Sequence, residues 1–370
     1  MAGFLLAVVA VCFWLERFRW AKKVSAVFLV IAIPAALSNL GLIPRQATAY
    51  DFVSTYFVSA AIPLLLFKAD LRRIFGETGR LMLGFVLAAA GTLAGAAFAV
   101  LLIPVGADAA AAAAAIAGGY IGGGLNFVAV ARSVGLDDPS RFSTVLGAEA
   151  AAGLAYFAVL SLIPRTAWFK RWLGGSGSRS AASDAQSSPA TPGEQGAPSL
   201  FDYAAALGTS LLLCAFGNWI AGVLGLASYS ILFITLFAVL AVNVFPGPFR
   251  KLKGDFELAM LLMCVFFAVF GAGTDIATVL SDAPALLAFA VLIVVVHFLI
   301  AFGVGRLLKL DPKVVVIGSN ACLLGPPTAG AQAASEGWHD LVTPGVLAGL
   351  FGYVIGNFLG VGVFLVLSST

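Results

Sequence analysis

Charge is what this chain has least of. Of its 370 residues, 11% are Asp, Glu, Lys or Arg, and two are histidine. Soluble domains carry about 25% charge, so a water-facing globular fold is excluded, and with it a soluble catalytic or nucleic-acid-binding domain. Cysteine is also scarce. Cys12, Cys214, Cys264 and Cys322 stand singly in apolar segments without the spacing of a metal site, and read as small packing residues. The first apolar run lacks both a basic leader and a small-residue cleavage pattern, so it is expected to be the first span rather than a removable signal.

What fills the chain is apolar: 61% hydrophobic residues and a mean hydropathy of +1.02. At about 20 apolar residues per spanning helix, there is room for about ten to twelve spans and little mass outside the bilayer. The net charge of +3 suits cationic loops on one membrane face. Apolar windows predict helices at 2–16, 24–43, 50–67, 81–103, 108–135, 140–163, 201–225, 229–246, 255–273, 285–307, 312–335 and 343–367. A Gly/Ser/Ala/Pro-rich tract makes 164–199 a flexible linker, opening on an aromatic and cationic anchor at Trp168 to Trp172. It divides a first transmembrane repeat, 1–163, from a second, 200–370.

Two windows are interrupted. GGYIGGGLN at 118–126 breaks one, and SNACLLGPPT at 319–328 breaks the other. Inside a helix Gly costs about 1 kcal/mol and Pro about 3. Unwound backbone at membrane depth persists only where protein, water or a ligand satisfies its polar groups. Small residues also permit close helix packing, but packing does not require Pro326-Pro327, which destroy the hydrogen-bond ladder. Interruptions at matching places in two halves point to a transporter's binding site.

The halves match at a nearly constant offset: Asp70 with Asp275, Asp108 with Asp311, the Gly118 break with the Gly318 break, and Asp138 with Asp340. Asp108, Asp138 and Asp311 fit N-caps, the last two followed by Pro at the first helical position. Basic loops at 16–23, 68–80, 249–253 and 306–313 claim the cytoplasm. Asp70 then faces inside and Asp275 outside, as inverted repeats require. Six segments separate them, however, and inversion needs an odd number. One assigned segment must therefore fail to cross, with the first, the seventh and the linker region as candidates.

Phe13 to Arg17, Ile62 to Phe67 followed by Ala69 to Arg73, and the Gly118 to Val130 segment resemble the YjcL-like integral membrane proteins, domain-of-unknown-function family 819. The likeness covers the chain outside the linker. In architecture it is similar to the superfamily of cation/proton antiporters, organic-anion sodium symporters and glutamate/sodium symporters. That resemblance implies an all-α polytopic fold of two inverted-topology repeats. It also implies two discontinuous helices crossing in a mobile core, a scaffold that dimerises, and elevator-type alternating access. No Asp-Asp or Asn-Asp pair lies within a span, which counts against sodium/proton exchange.

At each break, the second half-helix presents N–H groups and partial positive charge, and the first presents carbonyls. The former suits an anionic group and the latter a cation. Substrate contacts are expected from Gly122, Gly123, Gly124 and Asn126, the last capping the second half-helix, and from Gly325, Pro326, Pro327 and Thr328. Glu149, an acid within a span, is by default a functional candidate. With Ser319, Asn320 and Asp275 it makes up the expected ion ligands. His297 reads as a packing histidine, Asn218, Asn243 and Asn357 as bridging amides, and Lys68 and Arg72-Arg73 as anchors.

These residues lead to the expectation of a secondary active transporter in a bacterial inner membrane, working as a homodimer, with no cofactor beyond a sodium coupling ion and no nucleic-acid partner. Its cargo is expected to be a small anionic organic solute in sodium symport, with proton-coupled antiport or export as the alternative. An intramembrane enzyme built on Asp137-Asp138 is a remote third reading, because Asp138 is explained as a cap.

Overall fold

The computed structural model describes residues 2–15, 17–18, 26–175 and 197–369, and its secondary structure is helical. Most of the expected linker, 176–196, lies outside the described residues. The first half comprises α1 (Ala2–Leu15), α2 (Ala26–Asn39), α3 (Thr48–Leu66), α4 (Leu71–Thr78), α5 (Arg80–Leu102), α6 (Ala109–Ser133), α7 (Pro139–Leu162) and α8 (Ala167–Gly175). The second comprises α9 (Leu200–Val223), α10 (Ser230–Val244), α11 (Pro246–Lys251), α12 (Asp255–Gly273), α13 (Ile276–Leu307), α14 (Pro312–Leu323), α15 (Pro326–Ser335) and α16 (Val342–Leu367). Nine helices among the described residues are long and apolar enough to cross a membrane, and the chain is an integral membrane protein. The short helices α4, α8 and α11 escape a search for long apolar runs. α13 starts at Ile276 rather than 285, since the turns before 285 are already helical, and Asp282 in the second of them is held by Arg141 at 3.0 Å.

Both interrupted helices fold back on themselves. In a straight helix, residues twelve apart stand about 18 Å apart. Here a Cβ on Gly118 would lie 2.8 Å from the Val130 side chain, and one on Gly119 would lie 2.9 Å from that of Phe127. The reversal occurs at Gly123, with φ 77° and ψ 172°, a conformation essentially reserved to glycine. Arg141, opening α7, binds the Val105 carbonyl and lies 3.6 Å from Asp108 before α6, so the chain leaves the hairpin at the end where it entered. The second hairpin turns at Gly325, φ 87°. Asn320 Nδ2 of α14 donates to Gln332 Oε1 of α15 at 2.6 Å, and Lys313 lies over the Trp338 ring, 5.9 Å from its centroid. The expectation of two crossing broken helices is corrected: each is re-entrant.

This resolves the parity conflict. Gly91 packs on His297 and Gly95 on Ile293, so α5 and α13 run antiparallel. Gly84, near the start of α5, meets Val314 at the start of α14, so the two hairpins enter from opposite ends of the bundle. With α6 folded back, the crossings between Asp70 and Asp275 are α5, α7, α9, α10 and α12, an odd number. Between Asp70 and Asp275, the segment that doubles back on itself is the first broken helix, rather than the seventh window or the linker region. Lys68, Arg72, Arg73, Arg250, Lys251 and Arg306 then share one end of the bundle, the arrangement expected of a cytoplasmic face.

The helices pack as two groups. α12 lies on α1, α2 and α3, with α9 and α10 beside α3; α5 lies on α13 and α14, and α16 on both hairpins. At the basic end, Lys68 Nζ donates to the carbonyls of Leu252 at 2.6 Å and Phe249 at 3.0 Å, a tie rather than a loose anchor. Asp70 caps α4 by accepting from the Arg72 and Arg73 N–H groups, and pairs with Arg250. Burial pushes its carboxyl upward, but the Arg250 hydrogen bond and the two N–H groups outweigh that and hold it below the usual value. A depressed carboxylate contributes stability above its unfolded pKa and loses it as pH falls through the folded one. Thermal melts should therefore show a loss of stability in the wild type below about pH 4 that is smaller in Asp70→Asn.

Candidate functional site

The two tips meet the middle of α16. Gly349 faces the backbone of Pro326, Gly352 the carbonyl of Ile121, and Gly356 the backbone of Gly122. Between them stands the Tyr353 ring. A Cβ on Gly123 would lie 3.0 Å from its Cε1, and one on Gly325 would lie 3.6 Å from its Oη. The breaks thus face each other across one tyrosine. Asn126 is buried, but it does not open the second half-helix, since the turn is at Gly123. Its Nδ2 donates instead to the carbonyls of Tyr353 at 3.1 Å and Gly352 at 3.4 Å, clasping the tip to α16. The expected capping role is corrected, because the carboxamide is turned outward to a neighbouring helix.

A cavity of about 590 Å³ borders the first tip. Gly122, Gly123, Gly124, Ser143, Glu149 and Thr274 line it, and the opposite wall is apolar side chains from α2, α3 and α12. Its position follows from the sequence: glycines at the tip leave room, and Gly147 and Ala150 flank Glu149 on α7 without covering it. Among the described residues, no cation or hydrogen-bond donor meets the Glu149 carboxylate; only its backbone carbonyl is engaged, by Tyr120 Oη at 2.9 Å. An ionised acid at membrane depth costs several kcal/mol unless a partner or water compensates it. Ser143 and Thr274 hydroxyls are bonded to each other at 2.6 Å.

The other expected site residues lie elsewhere. Gly325, Pro326, Pro327, Thr328, Ser319 and Asn320 do not line the cavity. The Thr328 hydroxyl bonds Asn320 Oδ1 at 2.7 Å, and Gln332 Nε2 reaches the Leu160 carbonyl at 3.1 Å, so the polar groups of the second hairpin are spent within the protein. Ser319 joins a buried chain: Tyr156 Oη at 2.6 Å on one side and His297 Nε2 at 2.9 Å on the other, with His297 Nδ1 2.8 Å from Thr92 Oγ1. Both ring nitrogens of His297 are thus engaged, which suits a structural histidine. Asp275 is half-exposed at the outer end, 3.5 Å from Arg45, while its neighbours Thr274 and Ile276 reach the cavity. Asp138 accepts from the Arg141 N–H at 2.7 Å as a cap, and Asp137 lies 3.5 Å from Arg132. Sequence reasoning missed Tyr353, Tyr156, Thr92 and Gln332. The Gly349, Gly352, Gly356 stripe around Tyr353 was the available signal, since small residues in a helix mark close approach.

Residues 3–370 match the family described as "Protein of unknown function (DUF819)". The chain belongs to the DUF819 family. It is also 31% identical over 381 residues to a protein of Bacillus subtilis (strain 168) named "Uncharacterized membrane protein YjcL", an overlap taking in 97% of this chain and 94% of that one. Both hairpins and the cavity of this DUF819 protein therefore lie within the shared length.

Proposed function

We propose that this DUF819 protein is a secondary active transporter, driven by a cation bound at Glu149 and working by elevator-type alternating access, and that it is not an enzyme. The observation that carries the reading is the unpartnered Glu149 carboxylate in a cavity beside a broken-helix tip. Backbone interrupted at membrane depth next to a cavity is where transporters bind solutes and coupling ions. The packing supports inverted repeats: α1, α2 and α3 correspond to α9, α10 and α12, and the helix, hairpin and helix of α5–α7 to α13–α16. One set forms the scaffold, through which two copies would pair in a bacterial inner membrane, and the other the moving core. Sodium is the first candidate for the coupling ion, because the tip offers carbonyl oxygens beside a carboxylate. The half-helix that starts at Gly124 has its positive end on the cavity, the feature that would favour the small anionic solute expected from sequence, whereas Glu149 on the same wall favours a cation.

A ligand that binds only the folded state raises its stability by about 2.7 kcal/mol at a hundred times its Kd. Purified protein should melt higher in sodium than in potassium or N-methylglucamine at matched ionic strength, and Glu149→Gln should lose the difference. Identical melts in all three cations, across the pH range, would sink the coupling site.

A further inference from the structure

Resting on the reading of Glu149 as a cation site, we propose that the cavity's cargo is an organic monocation with a bulky apolar body, which displaces the coupling ion from Glu149. Transport is then an exchange.

The charge inventory of the wall is the first argument. Among the described residues lining the cavity, Glu149 is the one with a formal charge, and no Lys, Arg or His accompanies it. A solute carboxylate here would bring a second negative charge into the space that already holds Glu149. The half-helix end at Gly124 and the Tyr353 hydroxyl are the features that could draw an anion, neither carries a full charge, and the two nearby hydroxyls, Ser143 and Thr274, are occupied with each other. A monocation instead neutralises the carboxylate one for one and leaves no buried charge unpaired.

The chemistry of the wall is the second, independent argument. Phe256, Phe267 and Tyr353 present aromatic rings, whose faces attract cations. Met260 and Met263 add polarisable thioethers that adapt to irregular apolar shapes. About 590 Å³ is far more than a bare metal ion fills and lies in the range that holds a drug-sized molecule. One acid in a wall of this kind selects charge sign and apolar bulk together, without demanding a particular hydrogen-bonding pattern. Because solute and coupling ion share the carboxylate, each must leave before the other binds, which makes sodium or protons competitors of the cargo.

Tetraphenylphosphonium and tetraphenylborate test this directly, since they share shape and apolar surface and differ in charge. Equilibrium dialysis of the full chain in detergent should show saturable binding of the phosphonium, weakened by added sodium or by acid. Truncating one partner of a buried charge pair costs at least about thirtyfold in affinity, so Glu149→Gln should lose phosphonium binding by that factor, while Glu149→Asp keeps part of it. A normal gel-filtration profile for both variants excludes misfolding as the cause. Tighter binding of the borate by wild type, phosphonium binding that ignores Glu149→Gln, or no saturable binding of either ion would overturn the proposal. If the sodium-dependent melt survives any of those results, the cation site stands and only the cargo is wrong. If it is lost too, both readings fall.

Discussion

Glu149→Gln is expected to abolish cation-driven flux, to the level of protein-free liposomes, while the protein remains folded and melts no lower than wild type. The two halves of that result come from the same observation. The carboxylate meets no donor or cation among the described residues, so replacing it with an amide of equal size removes no protein contact. It does remove the cost of holding a charge at membrane depth, so stability is unchanged or improved. A structural acid behaves the opposite way, because deleting one partner strands the other. His297→Ala is the contrast: it leaves the buried Ser319 and Thr92 hydroxyls each without the ring nitrogen they contact, and should lower the melting temperature. Retained flux, or a Glu149→Gln protein that unfolds, would remove Glu149 from the transport site. The measurement is sodium- or pH-gradient-driven flux in liposomes, alongside thermal melts of the same preparations.

Much of the fold was legible because it rests on local composition. Apolar windows, Asp-Pro caps at 138 and 311, and glycine or proline breaks all act within a few residues, and the caps and breaks appear where the sequence places them. Reversal of the broken helices was not legible. A glycine-rich interruption reads alike whether the chain continues or doubles back, and what decides is Val130 meeting Gly118 and Phe127 meeting Gly119, contacts no window sees. The charge pattern did carry the signal, as a parity error, but not the place to apply it. That Glu149 and Gly122–Gly124 merit notice was legible, because an acid in a span and a glycine run are each costly by themselves; that they line one cavity is what the structure adds. Ser319, Asn320 and Thr328 lie away from that cavity, and a hydroxyl or amide beside a break reads alike whether it faces a ligand or the protein. The Tyr156 and Gln332 side chains that engage them come from 163 and 12 residues away. Tyr353 was invisible for a related reason: only the meeting of both tips on α16 gives it meaning.

That meeting makes Gly352→Ala the substitution expected to harm the fold most. Its methyl would run into the carbonyl oxygen of Ile121 and stand 3.2 Å from the Phe85 ring. Neither can yield cheaply: Ile121 lies in the turn before the hairpin tip, and Phe85 is fully buried under α16. Overpacking of a well-filled core costs about 1–3 kcal/mol, and more where backbone must move, so a loss of at least about 3 kcal/mol is expected by that standard, read as a large drop in melting temperature. Gly362→Ala is the matched control. It lies on the same helix with nothing within 4 Å of the added methyl, and Ala in place of Gly in a helix interior stabilises by about 1 kcal/mol. Opposite signs from two identical changes ten residues apart isolate the close approach from helix propensity. If both variants melt alike, α16 does not press on the first hairpin, and Tyr353 loses the position from which it touches both tips.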